Sequence, residues 1–419
     1  MSTPRRRCGP SIAALDAPDH AAYERLFPYY VEVCVVTQLR PRGAKPGGPG
    51  GHATMFIGGA SLERGSAEPR LRLAEAEHAA GTGVGISVNR AFANANWIAV
   101  AGRDMFLSGG VRDDEPLDET RFDAAVRRAA SAGWFDGIRL VPAIERQASR
   151  DVESVVRRSI GTDFALTFGR TVYAARLPIP RPALERVLDH LNELNELARL
   201  RGYVWNALTN NCSHVIHNAL AAAGVWDAKA VRGGRPLDTL ADVASLASAV
   251  VRRRMSDFSF PANNFVRLYE AANLRPIDDA RSAFRDHDIR RTLRDDWLVT
   301  GPGGLVIRYP MHEPSRNDLF RTGRDPVLAS VPLLWDKRRT FDRITRRPAP
   351  HETDLAANLG HFRDRFARAF AGRDRADRSD PRVVAFEERY HTALASELAR
   401  IDAGSASVSN VAIAAQTPS

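Results

Sequence analysis

Cysteine is scarce in this chain. Its 419 residues hold only Cys8, Cys34 and Cys212, an odd number set far apart. That excludes a disulfide framework and fits a reducing compartment, so a cytoplasmic setting is expected. Lysine is scarcer still in proportion: of 59 basic residues, all but Lys45, Lys229 and Lys337 are arginine. A formal charge of +9 would suit an acidic partner, yet this skew resembles genomic base composition, and a solvated Arg-rich surface is the plainer reading. No apolar run approaches the roughly 20 residues of a membrane helix. The opening stretch, MSTPRRRCGPSIAALDAPDH, has arginines but no long apolar segment behind them, so no secretory signal is expected. Delivery as a secreted effector stays open. A G-x-S-x-G elbow is also missing; GGASLERG lacks its spacing, which sets a serine hydrolase aside.

What is present is enough apolar residue, 44% of the chain, to bury a sizeable core. Tyr29–Leu39 is β-branched and aromatic and predicts a buried strand. A glycine- and proline-rich loop follows, then HATMFIGGASL, RLRLAEAE, VGISVN and NWIAVAG as further strands or strand ends. Helices are expected in ETRFDAAVRRAASAGWF, ending near Gly133 and Gly137, and in DVESVVRRSI. Gly169–Ile179 alternates like a strand. Pro180 and Pro182 lead into a helix with leucines at 184, 188, 191, 194 and 197. Residues 1–25 are expected to be a flexible N-terminus, 26–250 one domain, 251–403 a mainly helical accessory region with short strand-like pieces such as GGLVIRYP, and 404–419 a disordered tail.

One stretch raises a chemical question. LTNNCSHVIHNALAAAGVW opens an alanine-rich helix with a cysteine behind two asparagines. Asn210 or Asn211 is a good N-cap, since a side-chain oxygen there accepts from a first-turn N–H. At roughly 100° per residue, Cys212 shares a side with Val215, Ile216, Ala219, Leu220 and Ala223, while His214 and His217 fall roughly opposite. Neither histidine is therefore its natural base. A helix start favours a thiolate and offers N–H donors to an oxyanion. A small sulfur residue on an apolar helix face is also common core packing, so the base must be found elsewhere.

The second stretch supplies one. In PGGPGGHATMFIGGAS, His52 follows a glycine-rich loop that permits close approach of backbone and ligand, and it opens a strand on which His52, Thr54 and Phe56 share a face. The other histidines lie in polar, helical or loop contexts. GGHATMFIGG followed much later by NNCSHVIHNAL resembles the circularly permuted papain-like superfamily, with its NlpC-like peptidases and lecithin–retinol acyltransferase-like enzymes. The resemblance spans about residues 27–226. It implies an α+β fold, a permuted papain-like core of antiparallel strands packed on the cysteine-bearing helix, with an insertion between the two motifs. It further implies Cys212 as nucleophile and His52 as base. The third member is open between Asn89, at the end of VGISVN, and Glu75. Asn210 and Asn211 would cap the helix, one of them shaping the oxyanion site. No cofactor and no metal are expected, because Cys212, His214 and His217 spread around one helix without a second ligand cluster.

The implied activity is that of a thiol hydrolase or acyltransferase working on an amide, ester or thioester of a peptide or acyl-lipid substrate. The alternative is a catalytically inactive scaffold whose basic C-terminal surface binds an anionic partner. Trp335–Pro348 carries six basic residues among aromatics, as a weak phosphate-contacting surface would.

Overall fold

The computed structural model describes residues 17–36, 52–63, 69–110, 118–146, 172–206, 210–222, 303–309 and 338–371, with single positions between 381 and 403. The helix expected in DVESVVRRSI and the tail after residue 403 lie outside them. In chain order the elements used below are α1 (Ala17–Leu26), β1 (Tyr30–Val36), β2 (His52–Gly58), β3 (Ala60–Glu63), β4 (Arg70–Leu73), β5 (Gly83–Val88), β6 (Trp97–Ala101), α2 (Arg103–Ser108), α3 (Glu119–Ser131), β7 (Val172–Pro178), α4 (Arg181–Arg201), α5 (Cys212–Ala222), β8 (Leu305–Tyr309), α6 (Arg338–Arg346), α7 (Pro350–Thr353) and α8 (Leu355–Ala371).

Mixed helices and an antiparallel sheet make this an α+β protein. Six strands run in the order β6-β5-β2-β1-β7-β8, every neighbouring pair antiparallel. The central strands are buried along their whole length, which is why YVEVCVV and HATMFIG read as near-continuous apolar runs rather than as half-wet strands. β3 and β4 form a separate hairpin, and α4 holds it through Asn192, whose side chain accepts from the Leu71 N–H at 2.8 Å and donates to its carbonyl at 2.8 Å.

Register fixes which side chains share a face. Cys34 opposes Thr54, Thr54 opposes Ser87, Glu32 opposes both Phe56 and Arg176, and Phe56 opposes Gly85. Directly opposed residues point the same way, so His52, two positions before Thr54, projects with this set. α2 closes part of that face. A Cβ on Gly85 would fall 1.9 Å from the Phe106 ring, so glycine here lets α2 approach the sheet.

The same face carries a buried ionic cluster. The Glu32 carboxylate, fully buried, lies 2.8 Å from Arg103 and 2.9 Å from Arg176. Arg176 also stacks over the Tyr23 and Tyr30 rings and donates to His20 Nδ1 at 3.1 Å. A guanidinium can only donate, so His20 accepts through Nδ1.

Two organisational expectations are corrected. Residues 17–26 are not a flexible leader: they form α1, where Tyr23 is fully buried between Phe27 and Tyr30 and donates its hydroxyl to the Gly303 carbonyl at 2.9 Å. The boundary placed at residue 250 does not isolate the sheet. β8 pairs along β7 as its sixth strand, Phe341 of α6 packs edge-on against Tyr173, and Asn358 of α8 accepts from the Gly303 N–H at 2.7 Å. A chain segment that completes the sheet belongs to its core.

α4 also departs from a simple leucine stripe. Leu184, Leu188 and Leu191 are buried, but Leu197 is 37% exposed. Each three-residue step lags a full turn by about 60°, so the successive steps from Leu188 to Leu197 carry the stripe out to solvent.

Candidate active site

His52 is the first residue of β2 and is 7% exposed. Its Nε2 lies 3.0 Å from the Ser87 hydroxyl on β5. The cross-strand register explains this contact: Ser87 opposes Thr54, the next residue on His52's own face. Cys212 is the first residue of α5 and is half-buried against the core. α5 lies against β2 and against α4, so the helix headed by the thiol and the strand headed by the imidazole pack on each other.

The helix start is tightly capped. Asn211 Oδ1 accepts from the Ser213 N–H at 2.9 Å and the His214 N–H at 3.1 Å, and it lies 2.9 Å from His214 Nδ1. Since an amide oxygen only accepts, His214 carries its proton on Nδ1 in this contact. The cap thus engages the Ser213 and His214 amides and ties the His214 ring to its own helix end. Asn210 has a different task. Its side chain donates to the Val204 carbonyl at 2.8 Å, and its backbone makes an antiparallel bridge with Asn206.

α5 is not a one-sided amphipathic helix. Val215, Ile216, Ala219 and Leu220 are buried as the helical spacing predicts, but Ser213, His217 and Asn218 are buried as well. A helix covered on nearly all sides is an internal element rather than a surface one.

Neither residue considered for the third position touches His52. Asn89 is buried, but its Oδ1 accepts from the Ala91 N–H at 2.6 Å and shapes the turn after β5. Glu75 is exposed on a turn, its carboxylate 3.9 Å from His78 Nδ1. Ser87 does meet the imidazole, and sequence reasoning did not single it out. Its one signal was a hydroxyl inside an otherwise apolar strand, GVGISV.

The two described cysteines sit in opposed environments. Cys34, on the middle of β1, is fully buried; burial, reinforced by the Glu32 charge, pushes its thiol well above the ordinary value. Such a thiol stays protonated and inert. Cys212 has partial exposure at a helix start.

For metals, the one group of three candidate ligands among the described residues is Glu75, Glu77 and His78, all exposed. No helix among the described residues is long and apolar enough to cross a membrane. In the basic C-terminal stretch, Arg343 is committed to Glu352 through contacts of 2.9 and 3.1 Å. No protein-family model, curated protein or solved structure matches the chain.

Proposed function

We propose that this chain is a cysteine-dependent hydrolase or acyltransferase on a permuted papain-like core, acting on an amide, ester or thioester carbonyl. Cys212 is the nucleophile, His52 the base, and Ser87 the group that orients the imidazole. The observation that carries this reading is the packing of the Cys212 helix on the strand that begins with His52, whose Nε2 is held by a buried hydroxyl. If Nε2 donates to Ser87, Nδ1 is the basic nitrogen, as proton transfer from a thiol requires.

The chemistry then balances as follows. His52 takes the thiol proton and the Cys212 sulfur bonds to the carbonyl carbon. The positive end of α5 favours both the thiolate and the developing oxyanion. The tetrahedral adduct expels an amine, alcohol or thiol that recovers the proton from His52, leaving a thioester. Water, or an acceptor hydroxyl or amine, gives its proton to His52 and attacks the thioester, releasing product and thiol.

Labelling with a thiol-directed acyl probe at neutral and mildly acidic pH tests the pair. Cys212 is expected to label in preference to Cys8, Cys34 to stay unlabelled, and His52→Ala to abolish the preference. Equal labelling of Cys8 and Cys212, or a His52→Ala chain that labels like the parent, would sink the proposal.

A further inference from the structure

Gly303 joins distant parts of the fold. Its carbonyl accepts from the Tyr23 hydroxyl of α1 at 2.9 Å, and its N–H donates to Asn358 Oδ1 of α8 at 2.7 Å. Asn358 is buried and also donates to the Gly304 and His351 carbonyls at 3.1 and 2.7 Å. β8 begins two residues further on. Gly303 has φ +91°, and a Cβ there would lie 2.7 Å from both the Phe27 ring and Pro178, so the position is built for glycine. The end of α1, the end of β7, the approach to β8 and the first turn of α8 therefore meet at one residue.

α1 is held beside this joint by a histidine that must stay neutral. His20 Nδ1 accepts from Arg176 Nη1 at 3.1 Å, and Nε2 lies 3.2 Å from Glu24 Oε1. Arg176 is fixed in place, fully enclosed and bound to Glu32 at 2.9 and 3.0 Å. The charged groups around the imidazole are Glu24 on α1, Glu32 on β1, Arg103 on α2 and Arg176 on β7. Burial keeps the Tyr23 and Tyr30 hydroxyls protonated. Two carboxylates thus match two guanidinium groups while the imidazole is neutral. A proton on Nδ1 adds a third cation and sets one N–H against another, because a guanidinium has no acceptor. Burial and the two guanidinium charges accordingly hold the His20 pKa below its ordinary 6.5, against the pull of Glu24.

We propose that α1 is a pH-operated clasp: on taking a proton, His20 lets go of Arg176, and the release passes through Tyr23 and Gly303 to β8 and α8. Tyr23 lies three residues after His20, on the same side of the helix, and Arg176 stacks over its ring at 4.6 Å. Moving His20 off Arg176 therefore shifts Tyr23, and with it the hydroxyl bound to Gly303. A helix of ten residues has little stability apart from its packing. With a folded pKa below the unfolded value of 6.5, the stabilisation is complete above that value and is lost as pH falls below it. Acid then loosens α1 and the β8 and α8 contacts together while the central strands hold. The inference goes beyond the thiol chemistry and stands whether or not Cys212 reacts.

Hydrogen exchange of the full chain, followed by mass spectrometry and corrected for intrinsic rates, tests it between about pH 7.5 and 4.5, a window that closes where the contribution of Glu24 begins to fade. Protection of α1 and of residues 303–309 should fall together by about tenfold, the worth of a hydrogen bond to a charged group, and return at neutral pH. β1 and β2 should keep theirs. His20→Gln offers Arg176 an acceptor that does not titrate, so both segments should stay protected throughout. His20→Leu neither accepts nor titrates; its protection should start lower and be equally flat. Tyr23→Phe cuts the link to Gly303, so α1 should respond to acid and 303–309 respond less. Cys212→Ser should behave like the parent, which separates this result from the fate of the thiol proposal. The clasp is overturned by a parent that loses no protection, by a loss shared equally with β1 and β2, or by an α1 that loosens while 303–309 stays protected. His20→Gln or His20→Leu responding to acid like the parent overturns it as well.

Discussion

Glu32→Gln is the most revealing change to the scaffold. The Glu32 carboxylate is fully buried and serves two guanidinium groups, Arg103 Nη2 at 2.8 Å and Arg176 at 3.0 Å through Nε and 2.9 Å through Nη2. Arg176 is 1% exposed and Arg103 14%, so glutamine leaves one charge with no route to water. Breaking a buried pair from one side costs about 3–5 kcal/mol. For a core of roughly 200 residues, each kcal/mol moves the melting midpoint about 2–4 °C, so a fall of roughly 6–20 °C is expected. Arg176→Met gives the contrast. It leaves Glu32 paired with the partly solvated Arg103 and fills the space beneath Tyr23 and Tyr30, so its cost is smaller, about 2 kcal/mol or less. The double variant should fall short of the summed losses, because the second change removes the charge stranded by the first. Thermal melts of the full chain followed by circular dichroism measure all three. If Glu32→Gln costs less than Arg176→Met, the carboxylate is not the hub of the cluster and the reasoning is wrong.

Acid should loosen α1 before the sheet. Burial, helped by the Arg103 and Arg176 charges, lowers the His20 pKa, while burial would raise Glu24 but the His20 ring 3.2 Å away, the Tyr30 hydrogen bond and the Arg103 charge outweigh it and hold the carboxyl at about 2. Both groups bind protons less readily when folded, so their stabilisation is full above the unfolded pKa values of 6.5 and 4.5 and is lost as pH falls, for Glu24 down to about 2. Hydrogen exchange across Ala17–Leu26, corrected for intrinsic rates, should show protection falling on acidification; constant or rising protection refutes the sign. Ser87→Ala should slow acyl labelling of Cys212 roughly three- to tenfold, the worth of one hydrogen bond on the imidazole, and alter its pH profile without changing the circular dichroism spectrum. An unchanged rate removes Ser87 from its positioning role.

Much of the sheet could be read from the sequence because β1, β2, β5 and β7 are buried along their length and so are largely apolar. The helix N-cap was readable as well, because Asn before a helix acts locally. What escaped depends on pairing across long separations. Glu32 in YVEVCVV and Arg176 in VYAARLP each stand as a lone charge in an apolar strand, 144 residues apart, and nothing local joins them. Ser87 meets His52 only through the register of β2 on β5, and a shift of one residue would have turned it to the other face. The same limit placed β8 in an accessory region: a short strand declares its sheet only through its partner. Tyr23 escaped for a further reason, since α1 is weakly amphipathic and the ring is buried against Phe27, just after the helix, and Tyr30 of β1.

The ionic cluster and the candidate imidazole occupy one sheet face, and this bears on how the site is held. Tyr30, Glu32, Cys34 and Val36 on β1 align with Gly58, Phe56, Thr54 and His52 on β2, so the face runs continuously from the charged end to the histidine end. At the charged end, Arg103 bridges from α2 and Arg176 from β7 to a single carboxylate, locking two strands and a helix at once. A histidine at the end of a strand also depends for its precision on strands that do not slip or twist. The cluster supplies that constraint from the far end of the same strands. Between the two ends, Cys34 shows what the face does to a thiol placed within it: full burial beside Glu32 keeps the sulfur protonated. A reactive sulfur for this imidazole therefore has to arrive on another element with access to solvent, and a helix that begins with a half-buried cysteine and packs on the histidine's strand meets that requirement.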